Sequence, residues 1–534
     1  LSAAVADADS KNELTTASLL RSALAEFYTQ YLNRNRWRIN QRTATQDSSA
    51  DFRAWDVRRF VKTIHTLHFK ALYFDESEKA QILKTTPLEA VQMFLTEPQY
   101  AAESLRPTLY DVLAHRALAM LNNTANDLPK PETEFELLDF TALTPAKTFT
   151  NAVFAAPDKS DAKYLTIKLY QELTAMHLAD ASPEALLDVN LSRLQYAKEH
   201  IFAEGVDDEY LKSLEQTAEE YSKYALSAEY IHAQAQVWFG RGDYVKALER
   251  CRDAIRRHPD SYGAGLAKAL ESQILTKEIA IHTEKNVLPD SPFLVNVQFR
   301  NVDTLYFRLL RLDAPRRFRN YNLSDEELNR LLIIKPLSEW QVQLPVKDSS
   351  GIQDYKSHST DIQPVLPKTP QGSPTLPFGE YVLVASPRED FSRKSNILAT
   401  AHFTVSRLAI THEGHSWESS NRQMQRLLIS DALTGEKLSG VKVNFYRQEY
   451  NQRKNAYEEI LTETRTTDAN GFCSMNNDAI KQYHLIAEAV REVNGQRDVL
   501  RDGTSISALH FSSEPEQETT LFFTDRALYR PGQT

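Results

Sequence analysis

The chain has 534 residues, 42% hydrophobic and 25% charged, the composition of a globular protein with room for roughly three or four domains of ~150 residues. Lys plus Arg is 62 against Asp plus Glu at 72, a net charge of −10 with no basic run, which argues against a nucleic-acid partner. No stretch approaches the ~18 to 20 consecutive apolar residues of a membrane-spanning helix.

Glycine placement divides the chain. None of the 15 glycines precedes Gly205, five fall between Gly205 and Gly265, and ten lie from Gly351 onward. Helical arrays need few left-handed residues and hairpins need many, so this predicts a helical front and a β-rich back. In the front, Leu20, Leu24, Phe27, Tyr28 and Tyr31 form one apolar stripe at three-to-four spacing, and Phe60, Val61, Ile64, Leu67, Ala71 and Leu72 form another. Further helices are expected near 107–121, 161–179, 183–203 and 208–226, with Ser182 as an N-cap and Pro183 at the first helical position. Similar lengths and short connections predict an antiparallel stack or solenoid.

From Tyr230 to Pro259 the chain resembles a tetratricopeptide repeat. Ala235, Trp238, Gly242, Asp243, Tyr244, Ala247, Cys251, Ala254 and Pro259 fall where that repeat places its small and aromatic packing residues, its turn and its final proline. The resemblance implies close helices, Tyr244 wedged against the turn, and Cys251 as a packed rather than a reactive thiol. The earlier helices match the repeat poorly.

After about residue 290 the period changes to two. Val295, Val297 and Phe299 alternate with polar residues, as do Trp340, Val342 and Leu344; 379–385 and 399–410 read as strands. Ser324-Asp325-Glu326-Glu327 has capping-box spacing, and 346–378 reads as a long Pro- and Ser-rich loop. Strands at 427–429, 441–445, 459–466 and 483–487 are spaced for an antiparallel sandwich. The expected domains are a helical repeat-like domain at 1–285, β-sandwiches at 290–408 and 409–521, and the first strand of a further domain at 522–534.

Three phrases carry more than periodicity. Ser430 to Val441 looks like a strand, a turn and a strand of a surface-protein β-sandwich, and Thr467-Asp468-Ala469-Asn470-Gly471-Phe472 like its companion turn. Phe523-Thr524-Asp525-Arg526-Ala527-Leu528-Tyr529-Arg530-Pro531-Gly532-Gln533-Thr534 resembles the opening strand of a macroglobulin domain. On these phrases and the helix-then-β order, the chain resembles the N-terminal part of bacterial, Bacteroidetes-type members of the alpha-2-macroglobulin family. The resemblance implies macroglobulin-like sandwiches in 290–521. It also implies an endopeptidase inhibitor in which a protease cuts a bait segment, the body closes around it and, in many members, a thioester captures it. That thioester needs Cys-Gly-Glu-Gln. Cys251-Arg252-Asp253-Ala254 and Cys473-Ser474-Met475-Asn476 do not match, so thioester and bait are expected beyond Thr534. The resemblance further implies a segment of a longer protein, exported to the bacterial envelope, facing the periplasm and optionally lipid-anchored. Its partners would be proteases and an envelope protein bound by the helical region.

Other chemistry is weaker. His65 with His68, and His412-Glu413-Gly414-His415, lack the spacing that puts two imidazoles and a base on one helix face. Arg241-Gly242-Asp243 spells an adhesion tripeptide but falls on the repeat's turn. Glu219-Glu220 and Glu326-Glu327 read as solvated faces, and Arg311, Arg316, Arg317 and Arg319 as solvated or structural charge. No phosphate loop, nucleophile elbow or dinucleotide fingerprint occurs, so neither catalysis nor a cofactor or metal is expected. Two functions remain: a non-catalytic scaffold of a protease-trapping inhibitor, and a helical-repeat plus β-sandwich cell-surface binding module for peptide or glycan.

Overall fold

A computed structural model describes residues 1–42, 51–94, 102–124, 134–312, 325–345, 353–412, 424–452, 456–476 and 485–501. The chain divides into two units, Leu1–Leu275 and Thr276–Thr534. Phe523 to Thr534, which carries the most specific family phrase, lies outside the described residues, as do Ser324, Arg316, Arg317, Arg319, Glu413 and His415.

The first unit is helical. Its α-helices are α1 (Ser2–Ser10), α2 (Leu14–Asn40), α3 (Val57–Leu72), α4 (Ser77–Thr85), α5 (Ala102–Leu105), α6 (Leu109–Thr124) and α7 (Ala146–Thr150). There follow α8 (Ala162–His177), α9 (Glu184–His200), α10 (Val206–Glu220), α11 (Ser227–Gly240), α12 (Tyr244–Arg257) and α13 (Tyr262–Leu275). From α8 onward each helix packs on the next in sequence, and α13 also reaches back to α11.

Apolar spacing explains the first layer. Leu24, Tyr28 and Leu32 of α2 meet Phe60, Val61 and Ile64 of α3 in one core, and Trp55 joins it with its ring centroid 5.2 Å from Tyr28 and 5.3 Å from Phe60. Phe27 departs from the expected stripe: it is 44% exposed, standing edge-on to Phe52 at the margin. Pro183 also departs, occupying the N-cap itself and accepting from Leu187 N–H at 2.9 Å through its carbonyl; Ser182 caps nothing.

The repeat-like pair α11–α12 has the expected turn. Gly242 takes φ +72°, Asp243 Oδ1 accepts from Lys246 N–H at 3.1 Å, and Tyr244 lies 5.1 Å from the Phe239 ring. Ala235, Ala247, Cys251 and Ala254 are fully buried. Closest approach comes at Gly263 of α13, where a Cβ would lie 2.5 Å from the backbone of Ala228 and Glu229 in α11.

The second unit opens with strands β1 (Glu278–Thr283), β2 (Asn286–Val287), β3 (Val295–Arg300) and β4 (Thr304–Leu312). Thus β structure begins before residue 285, where the helical domain was expected to end. Helix α14 (Asp325–Leu332) and strands β5 (Ser338–Gln343), β6 (His358–Ile362), β7 (Gly379–Ser386) and β8 (Ala399–Val405) complete its first part. They form a sheet β1-β3-β6 and a sheet β2-β8-β7-β4-β5, antiparallel except for β2 with β8.

Val295, Val297 and Phe299 from the first sheet share a core with Leu305, Phe307, Leu383 and Phe403 from the second. The opposite face of β4 and β7 is covered as well: Leu310, Leu312, Val382 and Val384 pack with Leu331 of α14 and Phe391. Burial on both faces explains why β7 is a continuous apolar run. Strand β6 lies inside the stretch expected to be loop; Ile362 is its one apolar residue, with the His358 ring stacked on core Phe299, so its polar sequence gave no signal.

The last part contains β9 (Leu408–His412), β10 (Met424–Asp431), β11 (Lys442–Asn451), β12 (Ala456–Thr466), β13 (Phe472–Asn476), β14 (Leu485–Val493) and β15 (Gln496–Arg501). Sheet β13-β10-β9 and sheet β12-β11-β14-β15 enclose Leu408, Ile429, Val443, Phe445, Cys473 and Ala487. The single strand expected at 399–410 is two, β8 and β9, in different sheets. Ser406 makes the break: its Oγ accepts from Leu408 N–H at 3.0 Å and donates to Asp498 Oδ1 at 2.6 Å.

Both surface-protein phrases are corners between sheets. β10 and β11 lie in different sheets, as do β12 and β13, and inside the first phrase Ser430 pairs antiparallel with Lys437, with Leu438 N–H donating to the Ile429 carbonyl at 2.9 Å, a short hairpin before the crossing. Gly471 has φ +76°, and a Cβ there would stand 2.9 Å from the Ile429 carbonyl oxygen.

Candidate functional site

In the helical unit, α9 and α10 and the segment from Leu143 to Lys147 line a cleft of about 250 Å³. Its walls are mixed: Leu178, Leu186, Leu187 and Leu194 supply an apolar part, and Asn190, Ser213, Gln216 and Thr217 a polar one. Arg193 also lines it and is the largest fully buried side chain described, at 1% exposure. Its Nη1 donates to the carbonyls of Ala142 and Thr144, both at 2.9 Å, and its Nη2 to Asn190 Oδ1 at 2.6 Å. The guanidinium lies 4.4 Å from the centre of the Phe149 ring. Its Nε–H has no hydrogen-bond partner, and no carboxylate among the described residues pairs with it. Burial draws its pKa down to about 10.

Asn190 extends this network, donating through Nδ2 to Tyr230 Oη at 3.2 Å, which donates to the Leu187 carbonyl at 2.7 Å. The arrangement ties α9 to α11 and holds Arg193 in one pose.

A second polar cluster joins α6, α8 and α9. Asp111 is fully buried, accepting from Thr108 N–H at 2.9 Å and pairing with His177 Nε2 at 2.8 Å; His177 Nδ1 pairs with Asp180 at 2.6 Å. Burial opposes charge on His177, but hydrogen bonds to the two carboxylates prevail and raise its pKa. Asp188 lies 3.8 Å from both His115 Nε2 and Arg106 Nε, and burial raises its carboxyl. Burial and then the Asp188 charge push Glu229 up to about 7. Thr108 Oγ1 donates to Asp111 at 2.8 Å, and these groups bind helices together; among the described residues no three His, Cys, Asp or Glu are grouped to hold a metal.

No family model matches the chain, and no curated protein matches it. A similar solved structure is that of Pseudomonas fluorescens alkylpurine DNA glycosylase AlkC bound to DNA containing an abasic site analog. It is 8% identical, covers 73% of this chain and 99% of its own, and has a TM-score of 0.14, too low to carry an argument about fold or function.

Of the groups weighed from sequence, only Glu220 lines the cleft. Burial pulls His65 and His68 down to about 4, consistent with neutral core imidazoles. Arg241 pairs with Asp207 and Asp208, and Asp243 with Lys246, so the adhesion-like tripeptide is engaged within the fold. Glu219 pairs with Arg257 at 2.7 Å, and Arg311 donates to the Phe378 carbonyl at 3.1 Å. Burial pushes the Cys251 thiol up to about 12 and the Cys473 thiol up to about 11, both unreactive values. Sequence reasoning missed Arg193 because an arginine in an amphipathic helix reads as a surface residue. Only its place among Leu186, Leu187, Leu191 and Leu194 hinted at burial.

Proposed function

We propose that the chain is a non-catalytic scaffold of an alpha-2-macroglobulin-like protease-trapping inhibitor at the bacterial envelope, facing the periplasm. What carries the reading is the order of parts: a helical array, then two successive pairs of sheets, each pair around its own core. The Ser430 to Val441 and Thr467 to Phe472 phrases support it as inter-sheet corners held by Asp431 and Asp468. Their carboxylates accept from Leu433 N–H and Thr434 N–H at 3.0 and 3.1 Å, and from Asn470 N–H and Phe472 N–H at 2.8 and 2.9 Å.

The test compares this chain with a gene product that continues past Thr534. The chain alone should neither hydrolyse peptides nor inhibit a broad-specificity protease. The longer product should block that protease toward protein substrates while leaving small peptides cleavable, because enclosure excludes substrates by size. Stoichiometric inhibition by this chain alone, or none by the longer product, would overturn the reading. The alternative, a binding module, is favoured by one observation, the cleft beside Arg193.

A further inference from the structure

We propose that the cleft between α9 and α10 binds an apolar group carrying a carboxylate, with Arg193 as its anion contact and the leucine wall holding its apolar body. Three observations converge on this. The cleft is about 250 Å³, at the small end of ligand sites, so its occupant is a short aliphatic acid or the last residue of a peptide. Leu178, Leu186 and Leu194 supply apolar walls, which fit a branched alkyl group. Arg193 supplies a buried positive charge that no acid among the described residues neutralises, and an Nε–H left without an acceptor.

Burying a guanidinium against carbonyl dipoles alone is costly, and a neutral side chain could tie the Ala142 and Thr144 carbonyls without that cost. A carboxylate entering the cleft would supply the missing charge beside the guanidinium, in a pairing strengthened by low local dielectric. Two charged residues stand elsewhere on the lining, Lys147 and Glu220. Their signs cancel, so Arg193 decides which charge the cleft prefers. The inference concerns the helical unit and holds whether or not that unit belongs to a protease trap.

Calorimetric titration of the purified chain tests it with 4-methylpentanoate against its neutral isostere 4-methylpentanamide. A parallel arm uses acetyl-Ala-Ala-Leu with a free or an amidated C-terminus. We expect saturable binding of an acid at Kd below about 10 mM, and at least about tenfold weaker binding of the matching amide, the size of one charge-assisted hydrogen bond. Binding of the free acid only would assign a small metabolite; tighter binding of the peptide acid would assign a chain terminus. Arg193→Gln should abolish the preference for acid over amide. Because that variant also loses contacts to Ala142 and Thr144, Thr217→Trp is the second variant: it fills the cleft from α10, leaves the Arg193 hydrogen bonds in place, and should abolish binding of both acids. Equal binding of acid and amide, no binding of either acid below about 10 mM, or unchanged affinity in a folded Thr217→Trp protein would each overturn the proposal.

Discussion

The two units handle buried charge differently. In the β unit three buried carboxylates sit opposite arginines: Asp431 pairs with Arg407 at 3.0 Å and Arg491 at 3.4 Å, Arg491 with Asp498 at 3.1 Å, and Glu459 with Arg501, while a fourth, Glu488, accepts from Asn444 and Tyr446. In the helical unit Arg193 has no acid, and Glu229 has no cation among the described residues. Strand pairing explains part of the contrast. Asp431 and Asp498 are each fixed at a strand position from which a neighbouring strand or strand break presents a cation. Helix packing presents faces instead of registered rows, so a charge drawn inward can be left alone. Paired charges mark architecture, and the unpaired Arg193 is where a ligand is worth seeking.

The largest effect should come from backbone contact in the helical unit. Gly263→Ala places a methyl 2.5 Å from the backbone of α11, where no side chain can move aside. A loss of about 4 kcal/mol or more is expected in denaturant unfolding. Gly265→Ala, two residues further along the same helix and with nothing within 4 Å of its Cβ, should instead gain ~0.5–1 kcal/mol. Equal effects at the two sites would show that α11 and α13 do not approach as described. In the β unit, Asp431→Ala leaves Arg491 and Arg407 without their shared acid and should cost about 3 kcal/mol in the same measurement.

The charge contrast also predicts pH behaviour. Burial opposes ionisation of Asp431, but Arg407 and the backbone N–H groups of Thr434 and Leu433 prevail, bringing its pKa down from 3.8 to about 2. Its stabilisation is therefore present above about pH 4 and lost as pH falls through about 2. Glu229 shifts the other way, from 4.5 up to about 7, so its contribution is fully present below pH 4.5 and lost as pH rises through 7. His177, also raised, adds to that alkaline loss. His65 and His68, held down at about 4, make the helical unit lose stability as pH falls below 6.5. Calorimetry should show a helical transition that is highest near pH 6 to 7 and falls on both sides. Glu229→Gln should raise it at pH 8 by on the order of 1 kcal/mol, allowing for solvent screening of this half-buried group, and change little at pH 5. No difference at pH 8 would mean that Glu229 reaches water freely.

Legibility in the sequence followed periodicity. α3 and β3 were plain because their apolar residues repeat at the period of their own element, on one buried face. β4 escaped because Leu309 and Leu310 face different cores, one shared with β3 and one with α14, so no alternation survives. β1 escaped because Glu278 and His282 leave only Ile279 and Ile281 to mark six residues. The cleft was illegible for a different reason: it is made by separate segments, 143–147 and three helical regions, and no local spacing records their meeting.

The smallest expected effect separates two identical dipeptides. Asn470-Gly471 was the Asn-Gly pair noticed in the sequence, yet only Gly471 is left-handed there, and the segment joins strands of different sheets. Asn494-Gly495 passed unnoticed although it is the true two-residue hairpin, with Val493 opposite Gln496 and both turn residues at positive φ, +49° and +76°. Both central residues of such a turn must be left-handed to match the strand twist, and asparagine tolerates this far better than residues with larger branched or purely apolar side chains. Asn494→Ala should therefore cost about 1 kcal/mol. Asn470→Ala should cost less than about 0.5 kcal/mol, since its side chain is outside the left-handed region and the turn is held by Asp468. Matched denaturant curves of the two variants decide this, and a larger loss at position 470 would mean that the inter-sheet corner, not the hairpin, depends on the asparagine.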